Sequence, residues 1–178
     1  MTDAKAWELQ ETEHGKSLAL VRPSFYMPKV RSPQNIAWIA GLEADSFVLE
    51  ADLKQTGREY GHRDLCLFFG RQDAEHFYYV HLASVADEHA NSVFVVDGEP
   101  RRSIAESRTD GTDWGNSWHH VMLVRDTESG AIEVFFEDMD TPAMRAVDKT
   151  FGKGGIGVGS FDDVGLFDNI QVRPLREP

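Results

Sequence analysis

The groups in this sequence best equipped for chemistry are imidazoles and aromatic rings set at strand spacing. Tyr79 and His81 stand two residues apart, so in an extended segment both side chains leave the same face. In His76 to Ala83 the aliphatic pair Val80 and Leu82 suits a core, which turns Tyr79 and His81 the other way. By the same argument Leu65, Leu67 and Phe69 face inward and leave Phe68 on the open side, while Val121 and Leu123 face inward and turn Trp118, His120 and Met122 outward. If these strands are neighbours in one sheet, Phe68, Tyr79, His81 and His120 form a ligand-binding patch. A sugar ring would stack its apolar C–H face there, and the imidazoles would bond its hydroxyls. Trp114, Trp118 and Tyr78 are further candidate platforms.

Other chemistries are disfavoured by residue type and order. His119 and His120 are adjacent, so on a regular strand they point to opposite faces and do not share a metal ion. Cys66 is the only cysteine, which excludes an internal disulfide and a thiolate zinc centre; inside Leu65-Cys66-Leu67-Phe68-Phe69 it reads as a buried, inert thiol. Gly154-Gly155-Ile156-Gly157-Val158-Gly159 is followed by neither Lys-Ser nor Lys-Thr, so it reads as a strand whose backbone approaches a neighbour closely, not as a phosphate loop. Eighteen Lys and Arg against 30 Asp and Glu give a formal charge of -12, which repels phosphate backbones and anionic lipid. Neither nucleic acid nor membrane is expected as a partner, and a neutral glycan is easier to bind than an anionic one unless Arg58, Arg63 and Arg71 gather on one face. The first residues lack the basic-then-apolar order of a signal peptide, so the chain as written is expected in the cytoplasm, or outside the cell or in the periplasm if a leader was removed.

Apolar residues recur mainly at period two, between intervals carrying Gly, Asp, Asn and Pro. Residues 1–178 are therefore expected to form one all-β domain. Strands are expected over Leu18 to Val21, Ile36 to Ile39, Ser46 to Leu53, Asp64 to Arg71, His76 to Ala83, Ser92 to Val96, Arg101 to Ala105, Trp118 to Arg125, Ala131 to Glu137 and Val164 to Val172. The clearest hairpin joins Trp118–Arg125 to Ala131–Glu137 through Asp126-Thr127-Glu128-Ser129-Gly130, whose glycine suits a positive φ. Val85 to Ala90 could form one helical turn over a sheet edge.

Three segments resemble the concanavalin A-like lectin/glucanase superfamily, in particular its laminin G-like and 3-keto-disaccharide hydrolase-like members. They are Trp118-His119-His120-Val121 running through Ser129-Gly130 to Ile132–Phe136, the ending Gly155–Ser160 with Phe167–Val172, and Phe47–Leu53 with Leu65–Leu82. The resemblance implies an antiparallel jelly-roll β-sandwich of two stacked sheets, with a glycan or small saccharide held on the concave face or in loops at its rim. It also implies a structural calcium ion near the last strand, at Asp168, completed by backbone carbonyls of the N-terminal segment. The superfamily's retaining glucanases use Glu-x-Asp-x-Glu, which is absent; Glu50-x-Asp52 has Lys54 in the third place. No catalytic residue is assigned. Glycan binding or processing at the concave face leads, against a laminin G-like protein-interaction module and against a polysaccharide lyase or 3-keto-disaccharide hydrolase.

Overall fold

The computed structural model describes residues 1–13 and 15–176. Among the described residues fourteen strands run β1 (Trp7–Thr12), β2 (Gly15–Leu20), β3 (Asn35–Ala44), β4 (Phe47–Gln55), β5 (Asp64–Arg71), β6 (His76–Ala83), β7 (Ser92–Asp97), β8 (Arg102–Ser103), β9 (Ala105–Arg108), β10 (Trp118–Arg125), β11 (Ala131–Phe136), β12 (Met144–Val147), β13 (Gly154–Ser160) and β14 (Gly165–Pro174). They form two antiparallel sheets: one of eight strands in the order β1-β2-β14-β4-β10-β11-β12-β9, and one of six in the order β3-β13-β5-β6-β7-β8. This is the all-β domain that the period-two patterning implies, in the jelly-roll sandwich form that the resemblance implies. Strands β5, β6 and β10 cover the residues expected of them.

Alternation builds the core. Phe47, Leu49, Ala51 and Leu53 of β4 and Val121 and Leu123 of β10 meet Leu65, Leu67 and Phe69 of β5 and Tyr78, Val80 and Leu82 of β6 between the sheets. Strands β4 and β10 lie side by side with Val121 opposite Ala51 and Leu123 opposite Leu49, so one set of alternating residues closes the interior without a register slip. At the hairpin after β10, Gly130 takes φ +86° and its N–H donates to Asp126 O at 2.9 Å. Buried Arg125 closes this end by donating to the carbonyls of Gly130, Asp148 and Phe151 at 2.8, 2.9 and 3.0 Å.

The glycine-rich segment is β13, pressed between β3 and β5. A Cβ on Gly159 would stand 1.8 Å from Asn35 O, so the strand requires the absent side chain, as its composition suggested. Val85 to Ala90 forms no helix; its backbone is tied instead to neighbouring loops, with Val85 N donating to Gly61 O and Ala86 N to Asp110 O at 2.9 and 2.8 Å. Among the described residues the one helical turn is the 3-10 turn Ala4–Ala6. Strand β1 went unread because it is an edge: Trp7 packs on Phe167, but Leu9, on the same face, projects past the core and is 69% exposed.

Candidate functional site

The expected patch is divided between two sheets. Phe68, Tyr79 and His81 do share the outer face of the six-stranded sheet, as parity requires, but that face is covered. Ile36, Cys66, Phe68, Phe77, Tyr79, Phe94 and Val96 form a second apolar layer, with Val30, Trp38 and Phe161 packed over it. Residues 21–34 contain Pro23, Pro28 and Pro33, which cannot donate to a strand ladder, so the segment crosses the sheet in irregular form. Gln34 N donates to Phe161 O at 2.9 Å, and Arg31 O accepts from Arg101 N at 3.0 Å. Arg101 seals the layer: its guanidinium lies 4.1 Å from the Phe161 ring centroid and 4.7 Å from that of Phe94, and it donates to Tyr79 Oη at 2.8 Å. Burial, with the Arg101 charge beside it, pushes the His81 imidazole down to about 3, so it is neutral at ordinary pH. His120 is elsewhere, on the outer face of the eight-stranded sheet, with Nδ1 2.7 Å from Asp52 Oδ1. The four residues therefore do not make one open surface: parity decides which face a side chain leaves, not what covers that face.

Asp168 on β14 is bound by protein groups. Its Oδ2 accepts from Ser17 Oγ at 2.7 Å and its Oδ1 from Asn169 N at 2.8 Å. The N-terminal segment does reach it, but through a hydroxyl of β2.

The most developed concavity lies at one end of the sandwich, where the loops after β4, β6 and β9 meet. It is a cleft of about 700 Å³ whose lining includes Glu59, Tyr60, Arg63, Asp110, Asp113 and Trp114. Buried Trp114 anchors the 109–117 loop by donating Nε1–H to Leu82 O at 3.0 Å, and Thr112 donates both its N–H and its hydroxyl to Ala83 O at 2.8 and 3.0 Å. The end of β6 thus fixes one wall. Arg63, only 2% exposed, forms the base: Nε donates to Gln55 Oε1 at 3.2 Å and Nη2 to Asn116 Oδ1 at 2.9 Å, with Nη1 3.8 Å from Glu59. Asn116 Nδ2 donates to Glu59 Oε1 at 2.9 Å, which closes a ring of polar groups. Tyr60 stands at the mouth, 37% exposed, with the Arg58 guanidinium 5.2 Å from its ring centroid. Its hydroxyl donates to Asp163 Oδ2 at 2.6 Å; burial and that bond hold the phenol above its ordinary range, so it stays a neutral donor. Asp110 and Asp113 are exposed on the facing wall.

A second depression of about 580 Å³ shares Gly111, Thr112 and Asp113 with the first and is lined on its far side by Trp118, His119, Phe136 and Glu137. His119 is stacked on Phe136 at 4.9 Å, its Nδ1 lies 2.9 Å from Glu137 Oε1, and its Nε2 bonds the Trp114 carbonyl. His119 and His120 do diverge, as their adjacency requires. Arg58 and Arg63 meet at the cleft, whereas Arg71 lies over Trp38, 4.9 Å from its ring centroid, beside a different groove. Glu50 and Asp52 are outside the cleft, on the open sheet face, where Glu50 pairs with Arg173 at 3.0 Å.

Sequence reasoning named Arg58, Arg63 and Trp114 individually but missed Glu59, Tyr60, Asp110 and Asp113. The available signal was Asp110-Gly-Thr-Asp-Trp-Gly-Asn116, a polar turn-rich run holding one tryptophan, whose ring must dock and so fix the loop around it.

No family model matches the chain, and no curated protein does. Solved structures do. The carbohydrate-binding module CBM66 from Bacillus subtilis superposes with a TM-score of 0.64 at 17% identity, covering 94% of this chain and 95% of that one. Domain 4 of AbnA, a GH43 extracellular arabinanase from Geobacillus stearothermophilus, in complex with arabinotriose, gives 0.55 at 11% identity over 93% and 74%. Lectin I-B4 from Griffonia simplicifolia gives 0.52 at 11% identity over 94% and 91%. The chain has the concanavalin A-like lectin/glucanase fold.

Proposed function

We propose that this protein is a glycan-binding β-sandwich that holds a short, uncharged saccharide in the Glu59–Tyr60–Arg63–Asp113 cleft. The observation that carries the reading is the combination in one cleft of a part-exposed ring, a buried guanidinium fixed by three partners, and carboxylates on both walls. Vicinal hydroxyls of a sugar need paired acceptors and donors in fixed positions, which carboxylate, guanidinium and amide supply; the C–H face needs an aromatic wall. A preorganised set loses little conformational entropy on binding, and Arg63 is already held. Because Glu59 pairs with Arg63 and Asp110 and Asp113 add negative charge, the cleft favours a neutral glycan over a uronate or sulfated one. The resemblance to a carbohydrate-binding module, an arabinanase domain in complex with arabinotriose and a lectin supports the same ligand class.

The test is a panel of neutral and acidic oligosaccharides titrated calorimetrically against the wild type, Asp113→Ala, Tyr60→Ala and His120→Ala. The expected result is saturable binding of a neutral glycan, weakened at least tenfold by Asp113→Ala and Tyr60→Ala and unchanged by His120→Ala. Binding abolished by His120→Ala and untouched at the cleft would move the ligand to the outer face of the eight-stranded sheet. No binding to any member of the panel would favour the protein-interaction reading.

A further inference from the structure

Three carboxylates converge behind Tyr60. Asp64 opens β5, Asp162 and Asp163 lie in the turn between β13 and β14, and one oxygen from each lies within 4.8 Å of the others. The turn is held: Ser160 Oγ donates to Asp163 O at 2.6 Å, and Asp163 Oδ2 accepts from Tyr60 Oη at 2.6 Å and from Asp64 N at 3.1 Å.

The second observation is the state of Asp64. It is fully buried, and its Oδ2 accepts from Phe161 N at 2.7 Å and Cys66 Sγ at 3.1 Å, but its Oδ1 has no partner. A buried carboxylate oxygen left unpaired is costly, and two further carboxylates beside it add repulsion. Among the described residues no Lys or Arg nitrogen lies within 4.0 Å of any of the three. Arg101, the guanidinium on that side, donates to Tyr79 Oη and lies over the rings of Phe94 and Phe161, and the neutral His81 ring has its Nε2 3.9 Å from Asp64 Oδ2, so neither bonds the orphan Oδ1. The orphan oxygen is therefore open to a cation from outside the chain.

We infer that Asp64, Asp162 and Asp163 form a calcium site. The donors are oxygens on three carboxylates in an irregular arrangement, part buried and part open, since Asp162 is exposed and gives an entry path. Calcium takes six to eight oxygens in flexible geometry, whereas magnesium demands a near-ideal octahedron and zinc prefers nitrogen and sulfur. The site is distinct from Asp168, whose oxygens are already bonded to Ser17 and Asn169. It does not depend on the glycan reading.

The test uses the full chain, stripped with chelator and held at pH 7, titrated separately with calcium, magnesium and zinc chlorides by calorimetry and by thermal melting. Calcium should bind one to one and raise Tm, by about 5 to 10 °C at a hundred times its Kd, because it binds only the folded chain. Asp162→Asn, at an exposed position, should keep the fold and lose the response, while Asp168→Asn should retain it. Absence of calcium binding at millimolar concentration, a response to zinc alone, or a calcium response that survives Asp162→Asn would each overturn the assignment.

Discussion

Replacing Phe68 by alanine distinguishes a packed second layer from an open ligand face. Phe68 is fully buried, and its ring lies edge-on to Trp38 at 5.7 Å and to Phe77 at 6.1 Å and stacks on Tyr79 at 5.8 Å. Truncating a buried phenylalanine costs about 3 to 5 kcal/mol, and the three lost ring contacts, each worth about 0.5 to 1.5 kcal/mol beyond area, place this site near 4 kcal/mol. In a chain of this size that lowers Tm by roughly 8 to 16 °C. Urea unfolding should show the loss as a lower midpoint with an unchanged slope, since the surface exposed on unfolding hardly alters. His120→Ala is the matched control: its side chain is 45% exposed and its Nδ1 makes a surface hydrogen bond with Asp52, so it should cost less than about 1 kcal/mol. A Phe68→Ala variant that loses less than about 1 kcal/mol would refute the covered layer. If it also abolished glycan binding while keeping native stability, Phe68 would be a ligand residue after all.

Gly159→Ala should fail to give soluble folded protein, because the new Cβ would sit 1.8 Å from Asn35 O in a strand hydrogen-bonded on both sides; a variant with native melting would contradict the β3–β13 spacing. Arg101→Met should cost about 1 to 3 kcal/mol in urea unfolding, since it removes the donor to buried Tyr79 Oη along with the cation over Phe161; a neutral effect would mean that Arg101 does not seal the layer. Burial and a hydrogen bond to Asp148 push the Tyr78 phenol up to about 12. The unfolded chain then loses this proton near pH 10 and the folded chain later, so the contribution is fully present below about pH 10 and fades as pH rises to about 12. Tyr78→Phe should remove that part of the alkaline slope, and an unchanged slope would show that Tyr78 is not its source.

The fold was legible because burial on one sheet face writes itself at period two. Val80 and Leu82 against Tyr79 and His81, or Val121 and Leu123 against His120 and Met122, assigned the sides correctly. What failed was the next inference, from outward to exposed. A strand buried on both faces reads as a continuous apolar run, and Leu65 to Phe69 and Phe77 to Leu82 are such runs. That continuity marked a covered face. The cover is assembled from far-apart positions, Val30 in the irregular 21–34 segment together with Trp38, Arg101 and Phe161, so no local pattern places it. Edge strands such as β1 and β9 were illegible for the converse reason: they bury too little for alternation to be enforced.

The position of the cleft follows from what the remaining surfaces already do. On the outer face of the eight-stranded sheet the polar side chains are matched with one another: Asp52 with His120 and Asn169, Glu50 with Arg173, Glu133 with Arg145, and Lys54 over Trp118. A saccharide arriving there would exchange those bonds for its own and gain little, since the hydroxyls it brings replace partners that are already charged. The outer face of the six-stranded sheet is closed by Val30, Trp38, Phe161 and Arg101. At the loop end the framework bonds run the other way: Asn116, Gln55 and Glu59 hold Arg63 without covering the cleft, and Thr112 and Trp114 spend their hydrogen bonds on β6, leaving Asp110 and Asp113 exposed above them. On the proposed reading, a ligand reaching exposed Asp110 and Asp113 would leave the Glu59–Asn116, Arg63–Gln55 and Tyr60–Asp163 bonds in place and add contacts to them, which is the energetic argument for the loop end over the sheet faces.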